Sequence, residues 1–499
     1  MTNSRHISPL IGVVPVLFLT VACAMVATAT PVAKTPTTMP SPTFAESSMT
    51  TPTNLSTAAQ TTMPTSTFAQ SQTVYYVAPT GNDANPGTID KPWKTIQKAA
   101  KTITAGDIVY IRAGTYRERV IPQNSGSPGS EIIYAAYPGE TVTIDGDGIT
   151  LPDDLAGLFE IYDKSYIRLS GLRVINAAPF ANNAAILVSD SSYITIESCT
   201  TLNTMSSGIG VWGSQHILID NNTIELAGIG GGQECITVAG TKTFEVSNNT
   251  VLNCQKEGID AKDGSSDGQI YRNVVNRPRA VGIYVDAWDK ATYDIQVFQN
   301  VVFDSVESAG FSIASEMGGL LTNVRLENNL AYHNHTYGIE ISYCCSESHP
   351  MDSIFIINNT LYENGVGWGG GIIDDNAQAQ NVVIRNNISS QNLTFQIAVA
   401  ADVPAAHVTI DHNLIDGYRG YEDEVYGEDY IEGNPQFVGS SHGDFHLLPS
   451  SPAVDAGSAM NAPSVDLDGD PRPFGAGYDI GADEYAMRLY LSLVLKNGL

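Results

Sequence analysis

The segment Ile354-Phe355-Ile356-Ile357-Asn358-Asn359 sets a short apolar run directly before two asparagines. The same arrangement recurs along the chain, as at Ile217-Leu218-Ile219 shortly before Asn221-Asn222. The asparagine turns follow one another at roughly 23–30 residues, which is the period of a solenoid repeat. They stand at Asn221-Asn222, Asn248-Asn249, Asn273, Asn300, Asn328-Asn329, Asn358-Asn359, Asn386-Asn387 and Asn413.

A second short strand comes a little later in the repeat, and in several repeats it opens on a glycine-isoleucine pair. These pairs are Gly208-Ile209, Gly258-Ile259, Gly282-Ile283, Gly338-Ile339 and Gly371-Ile372. Two or three short strands per repeat with no helix between them indicate stacked coils, each about 4.8 Å from the next. At that spacing the asparagine side chains can bond to one another, so we expect them to be structural. The pattern predicts an all-β, parallel β-helix.

The composition and the N-terminus predict a secreted or cell-surface protein that does not bind nucleic acid. Acidic residues outnumber basic residues 53 to 25, for a net charge of −28, whereas nucleic-acid binding needs a basic surface. An apolar run follows Arg5-His6 and ends near Ala27-Thr28-Ala29, the pattern of a signal peptide over residues 1–29. Lipoprotein processing at Cys23 is the alternative. No other segment is apolar enough to span a bilayer, and we expect a monomer without a transmembrane segment in the mature chain.

The expected domain order follows from composition. Residues 30–73 are rich in Thr, Pro and Ser and predict a disordered spacer. Pro92 is expected to open a capping helix with Trp93, Ile96, Ala100 and Ile103 on one face. Residues 74–440 would form the β-helix, 441–485 a closing coil, and 486–499 a tail.

Six cysteines give a poor disulfide framework, because five remain after signal cleavage and an odd number cannot all pair. We expect Cys199, Cys235 and Cys254 to be small apolar residues of the stack. Cys344-Cys345 would be either a vicinal disulfide or two free thiols.

The two ends of the predicted β-helix resemble a known superfamily. Tyr75-Tyr76-Val77-Ala78-Pro79 and the segment 106–116 resemble the N-terminal cap of secreted right-handed β-helix proteins, shared by pectate lyases of polysaccharide lyase family nine. The segments 434–438, 451–457 and 479–482 resemble its closing coil. The resemblance implies a right-handed parallel β-helix with a short N-terminal capping helix, a scaffold that carries lyases, hydrolases and non-enzymes. Residues 489–496 resemble C-terminal tails of exported Chloroflexi proteins, which implies surface attachment.

The glycine-isoleucine pairs set the register, since alternate side chains along a strand face opposite ways. With the isoleucines inside, the outward positions are Gly210, Trp212, Thr237, Ala239, Asp260, Lys262, Tyr284, Asp286, Ser312, Glu340, Ser342 and Asp375. Asp260 and Asp286 would then approach to about 5 Å across adjacent coils, with Lys262 beside both. Asp263, Asp289 and Glu316 follow in the turns. Acidic and aromatic groups on one long face suit a polysaccharide, and the expected substrate-binding residues are Trp212, Tyr284, Trp288, Glu340 and Asp289.

Paired carboxyls favour a glycoside hydrolase, in which one acid protonates the leaving oxygen and the other acts as nucleophile or base. The segments 282–286 and 315–319 resemble the catalytic segments of β-helix glycosidases such as the family-120 β-xylosidases. The resemblance implies that Asp286 is the nucleophile and Glu316 the acid.

Two alternatives remain open at this point. In a uronate lyase, Lys262 would be the base with a pKa lowered by partial burial, and Ca²⁺ on Asp260 and Asp263 would neutralise the substrate. The Asp-Asp-Gly-x-Asp calcium motif of family-nine lyases is missing from the coil before Lys262. The other alternative is a non-catalytic glycan-binding or adhesin-like protein. The segment 466–470 resembles a calcium loop without its final Glu, and we expect an ordinary turn there.

Overall fold

The computed structural model describes residues 72–343 and 347–486. The predicted signal peptide, the alternative lipoprotein cysteine, nearly all of the spacer, the Cys344-Cys345 pair and the C-terminal tail from residue 487 lie outside the described residues.

Three parallel sheets run along the described chain, two of 13 strands and one of 10, and most coils contribute one strand to each sheet. The strands of sheet 1 are Val74–Val77, Ile108–Ile111, Ile132–Ala136, Ser165–Ser170, Ser192–Glu197, Gln215–Asp220, Lys242–Ser247, Ser266–Tyr271, Thr292–Phe298, Leu321–Glu327, Met351–Ile357, Ala379–Arg385 and Val408–Asp411. The strands of sheet 2 are Gly114–Tyr116, Val142–Asp145, Leu172–Ile175, Thr200–Leu202, Thr223–Glu225, Thr250–Leu252, Val274–Asn276, Val301–Phe303, Leu330–Tyr332, Thr360–Tyr362, Ile388–Ser390, Leu414–Asp416 and Ile431–Glu432. The strands of sheet 3 are Ala156–Tyr162, Asn183–Ser189, Ile209–Trp212, Ile236–Ala239, Ile259–Lys262, Ile283–Ala287, Phe311–Ser315, Ile339–Ser342, Gly370–Asp374 and Phe395–Val399.

The remaining elements are few. An antiparallel pair joins Phe437–Gly439 to Asp444–Leu447. The α-helix is Ile96–Ala100, and single 3₁₀ turns occupy Ala405–His407 and Ser440–His442. No helix among the described residues is long and apolar enough to cross a membrane.

The core is built from inward columns of aliphatic residues, as the glycine-isoleucine pairs predicted. Ile209 pairs with Ile236, which pairs with Ile259 and then Ile283. These four side chains are at most 1% exposed. Strict registry between coils therefore keeps one face of sheet 3 inside and turns the alternate residues outward.

An asparagine ladder joins the coils at the turn between sheets 1 and 2, which confirms the structural role predicted for these residues. Its members are Asn222, Asn249, Asn273, Asn300, Asn329, Asn359, Asn387 and Asn413. Each Nδ2 donates to Oδ1 of the next member at 2.9–3.0 Å. The residue before each member has a left-handed φ of 51–56°, a conformation that asparagine tolerates better than most residues. This requirement explains the Asn-Asn pairs: the first residue makes the turn and the second makes the ladder.

A shorter ladder lies at the turn after sheet 2 and was not predicted. Asn334 donates to Asn364, which donates to Asn392, and Asn392 donates to Gln396. Its asparagines recur in only three coils, which is too few repeats for the pattern to be recognised in the sequence.

The N-terminal helix is shorter than the predicted one. It begins after Thr95, whose side chain accepts from the backbone N–H of Lys98, rather than at Pro92. The apolar face is nevertheless as expected, since Trp93, Ile96 and Ile103 are at most 2% exposed. Those side chains belong to the main buried core of the β-helix.

The segment after residue 433 lies along the side of the β-helix rather than across its end. It accepts hydrogen bonds from the ladder turns at Gln299, Asn328 and Asn358. The last coil is instead covered by residues 417–433, where Tyr418, Val425 and Tyr426 pack against the core. Within the 466–470 segment, Asp466 Oδ1 accepts from the backbone of Asp468 and Asp470, the ordinary turn that was predicted.

One expectation about the cysteines was wrong. Cys235 and Cys254 form a disulfide, with Cα atoms 5.9 Å apart. Cys199 alone among the three stays a buried thiol. The two half-cystines are 19 residues apart, roughly one coil, so stacking brings them together. The odd number of cysteines argued against disulfides in general, so the sequence analysis did not recognise this pair.

Candidate functional site

The outward face of sheet 3 presents a row of polar side chains in register from coil to coil. Along one column, Asp260 pairs with Tyr284, which pairs with Ser312 and then Glu340. Asp286 lies two residues further along its strand and pairs with Ala314 of the next coil. Asp260 and Asp286 are therefore diagonal neighbours. The expected approach to about 5 Å would need them to lie directly opposite each other. The diagonal leaves Tyr284 directly beside Asp260.

Lys262 is the centre of the charges on this face. Its Nζ lies 2.7 Å from Glu234 Oε1 and 3.1 Å from Asp260 Oδ2. Asp286 of the following coil is close enough to add to the electrostatic field on the ammonium. Three consecutive coils thus direct carboxyls at one lysine.

Glu234 was missed by the sequence analysis. It precedes the strand Ile236–Ala239 in a glycine-rich loop, so the inward-outward alternation of the strands did not reach it. The residue is only 1% exposed, and Thr237 Oγ1 donates to its Oε2 at 2.9 Å. Burial raises the pKa of Glu234, but the ammonium groups of Lys262 and Lys256 outweigh it and leave that pKa lowered. A buried carboxylate paired in this way stays charged.

The disulfide lies beside this cluster. Cys235 follows Glu234 directly, and Cys254 comes two residues before Lys256. The bond therefore ties together the two successive loops that lead into the strands of Thr237 and Asp260.

Asp286 and Glu316 occupy contrasting surroundings. Asp286 is 3% exposed, and its Oδ1 has no hydrogen-bond partner among the described residues. Burial raises the pKa of Asp286 well above its usual value, and the nearby carboxylates of Asp260 and Glu316 add to the effect. Glu316 is partly exposed, and Tyr284 Oη donates to its Oε1 at 2.6 Å. One carboxyl is suited to hold a proton and the other is oriented by a hydroxyl.

The pKa of Lys262 runs opposite to the expectation for a lyase base. Burial lowers the pKa of this lysine, but the carboxylates of Asp260 and Glu234 overcome it and raise the pKa well above its usual value. A lysine that removes a proton must be neutral at the working pH. The ammonium of Lys262 is instead held in its charged form.

A calcium ion does not fit these residues as they stand. Asp260 Oδ1 and Asp286 Oδ1 are buried without a hydrogen-bond partner among the described residues, and such oxygens are the ligands that Ca²⁺ prefers. However, the ammonium of Lys262 already occupies the space between Glu234 and Asp260. Asp263, the other predicted calcium ligand, pairs with Lys290 through both oxygens at 3.0 Å. Each carboxylate proposed for the metal therefore faces a lysine.

The predicted aromatic residues differ in how far they reach solvent. Trp288 is 44% exposed in the turn after the strand Ile283–Ala287, as a sugar-stacking residue should be. Trp212 lies flat over Gly210, where a Cβ would meet its ring at 2.2 Å. Tyr284 is 9% exposed, and its hydroxyl contacts Glu316. Asp289 is exposed next to Trp288.

Glu340 lies further along the same face and is only partly accessible. Its Oε2 accepts from Ser312 Oγ at 3.2 Å. Burial and the neighbouring Asp375 raise the pKa of Glu340 to about 8. The pKa of Asp375 is raised to about 7 by its own burial. These two carboxyls form a second acidic group beyond Tyr284.

Two cavities flank the β-helix, and neither encloses the charged cluster. A cavity of 770 Å³ lies beside the turns after sheet 3 and includes Trp212, Asp263 and Lys290 in its lining. A larger one of 1290 Å³ lies on the outward face of sheet 1, where Tyr193 and His216 stack. The charged residues of the candidate site therefore lie on sheet 3 and not in the larger cavity.

A separate cluster of potential metal ligands occurs in the C-terminal segment. Ligand atoms of His446, Asp468 and Asp483 lie within 4.8 Å of one another. His446 is engaged on both sides, with Nδ1 2.6 Å from Asp444 and Nε2 2.7 Å from Asp468. His446 is thus an imidazolium held between carboxylates, and this ion pairing explains why the three side chains lie together.

Comparison with known proteins places the chain among β-helix proteins. The family model described as Pel9A-like, right handed beta helix region, matches residues 75–387. The uncharacterised protein YwoF of Bacillus subtilis is 27% identical over 434 residues, covering 76% of this chain and 91% of that protein. Pectate lyase PEL9 of Emericella nidulans is 30% identical over 208 residues, which span 40% of this chain and 45% of that enzyme.

A solved structure supports the same fold. The crystal structure of pectate lyase Pel9A aligns with a TM-score of 0.53 and 18% identity, covering 83% of this chain and 97% of that one. At this identity the likeness concerns the path of the backbone.

Proposed function

The chain belongs to the family of Pel9A-like right-handed β-helix proteins, and from that premise we propose that it acts on polysaccharides as a glycoside hydrolase. The observation that carries the proposal is the pair Asp286 and Glu316, two carboxyls with different surroundings on one outward face. Glycoside hydrolysis needs such a pair, one protonated and one charged.

The surroundings favour an exchange of the roles that the resemblance implied. Asp286 is buried, and its pKa is raised well above the usual value by that burial and by neighbouring carboxylates, so it suits the acid that protonates the leaving oxygen. Glu316 is partly exposed in the turn after the strand Phe311–Ser315, where a substrate can reach it. Tyr284 Oη fixes one of its oxygens, which leaves the other to act as nucleophile or base.

The expected substrate is a neutral or weakly charged glycan. The protein carries a net charge of −28, and the candidate face adds Asp289 and Glu316 near Trp288. A uronate chain would be repelled unless a metal ion intervened, and the residues present do not favour one. Trp288 offers the apolar plate that a neutral sugar ring can stack on.

A uronate lyase and a non-catalytic glycan-binding protein are the competing functions. The lyase has less support, since the pKa of Lys262 is raised. Export to the cell exterior and a surface attachment through the tail fit all three functions, and both stay predictions.

Product analysis on a panel of neutral and acidic polysaccharides tests the proposal. A hydrolase releases new reducing ends without an ultraviolet-absorbing unsaturated product. Unsaturated products would overturn the proposal in favour of a lyase. Glycan binding without any cleavage across the panel would overturn it in favour of a binding protein.

A further inference from the structure

The ammonium of Lys262 occupies a position where three coils converge. Glu234, Asp260 and Asp286 come from consecutive strands or their entry loops, and all three are at most 3% exposed. Two of their oxygens lie 2.7 and 3.1 Å from Nζ. The lysine side chain itself is 19% exposed, so its head group lies between the carboxyls and solvent.

Buried carboxylates require a compensating positive charge. Leaving such groups charged and uncompensated in a poorly hydrated site is strongly destabilising. A protein can supply the charge as a bound divalent ion or as a fixed cationic side chain. In this site the fixed side chain is present at hydrogen-bond distance.

We infer that Lys262 is the resident cation of this site and that it replaces a divalent metal ion. The inference extends the proposed hydrolase, because it concerns the same face, and it implies a site that works without metal. A Ca²⁺ ion would need the oxygens of Glu234 and Asp260 that Lys262 now occupies, and two positive charges at that spacing repel strongly.

The unpartnered oxygens give the inference its second support. Asp260 Oδ1 and Asp286 Oδ1 are buried without a hydrogen-bond partner among the described residues. These oxygens, like those of Glu234, are carboxylate oxygens, the ligand type that Ca²⁺ prefers. Removing the lysine head group takes the ammonium partner away from the buried carboxyls of Glu234 and Asp260, so Ca²⁺ should bind there once the lysine is gone.

The test measures Ca²⁺ binding by isothermal titration calorimetry on the full chain, with no substrate present. Lys262→Ala is expected to bind one Ca²⁺ ion about tenfold or more tighter than wild type. Lys262→Arg keeps the positive charge and should bind no better than wild type. Lys290→Ala is the matched control: it removes a lysine that pairs with Asp263 on an exposed turn, so it should gain no tight site.

Two results would overturn the inference. One is Ca²⁺ binding by the wild-type protein that Asp260→Asn abolishes, since the site would then already hold a metal. The other is a folded Lys262→Ala protein whose affinity for Ca²⁺ is unchanged. Circular dichroism reports whether that variant is folded, and if it is not, the wild-type and Asp260→Asn titrations still decide. Because the readout is metal binding, failure here leaves the hydrolase proposal standing, and loss of the hydrolase proposal leaves this result readable.

Discussion

Lys262 Nζ lies 2.7 Å from Glu234 Oε1, although the two residues belong to successive coils and are 28 positions apart in the chain. The pair is nearly closed off from solvent on the glutamate side, where the side chain is 2% exposed. It joins the loop that precedes one strand of sheet 3 to the end of the next strand. The coil stack therefore has both a charge link and, at the adjacent Cys235–Cys254 bond, a covalent link.

Removal of the disulfide should destabilise the protein. The closed segment has a sequence separation of 19, and a loop near this length is worth about 3 kcal/mol through the unfolded state. The double variant Cys235→Ala/Cys254→Ala should lower the free energy of unfolding by about that amount, measured by urea denaturation. Cys199→Ala is the control for loss of a buried sulfur, and an equal loss in both proteins would contradict a role for the bond.

Substitution of Asn249, a member of the asparagine ladder, should destabilise the protein more than substitution of the adjacent turn residue Asn248. Asn249 is 1% exposed and bonds to Asn222, Ile219 and Asn273, so Asn249→Ala leaves several buried groups unpaired and should cost about 3 kcal/mol. Asn248 is exposed with a φ of 55°, so Asn248→Gly should cost well under about 1 kcal/mol. Chemical denaturation of both variants checks this contrast, and similar losses would refute it.

The ladder and the register could be predicted because they repeat. A residue that recurs in eight coils, such as Asn300 or Asn329, gives a periodic signal, and the isoleucine column gives another. Glu234 could not be found that way, since it lies before its strand, where the inward-outward alternation of strand residues does not apply. The sequence analysis could name Asp260 and Asp286 as outward residues with Lys262 beside them. It could not name the contact of Lys262 with Glu234, because that contact depends on a loop path that periodicity does not describe.

The imidazole of His446 should make the protein less stable as the pH becomes alkaline. The hydrogen bond to Asp468 raises the pKa of His446 to about 10, and Asp444 contributes further. A raised folded-state pKa stabilises the protein fully below the unfolded value near 6.5, and that stability is lost as the pH rises through about 10. The midpoint temperature of thermal unfolding should therefore fall further between pH 7 and about 10.5 in wild type than in His446→Asn. Parallel curves for the two proteins would rule out the link.

The hydroxyl of Tyr284 should matter to turnover once a substrate is in hand. Because it donates to Glu316 at 2.6 Å, Tyr284→Phe loses one hydrogen bond and should lower kcat about tenfold. Tyr193→Phe, on the outward face of sheet 1, is the matched control and should keep wild-type kcat. Steady-state kinetics measure both, and an unchanged kcat in Tyr284→Phe would show that Glu316 needs no such orientation.

The most direct test of the proposed hydrolase is the activity of Asp286→Asn on a glycan that the wild-type protein cleaves. An asparagine fills the same space but cannot donate the proton, so release of reducing ends should fall by about 10²–10⁴-fold. Asp294→Asn, which changes a carboxyl on sheet 1, should retain wild-type activity. Undiminished cleavage by a folded Asp286→Asn protein would contradict the assignment of Asp286 and with it the proposed catalytic pair.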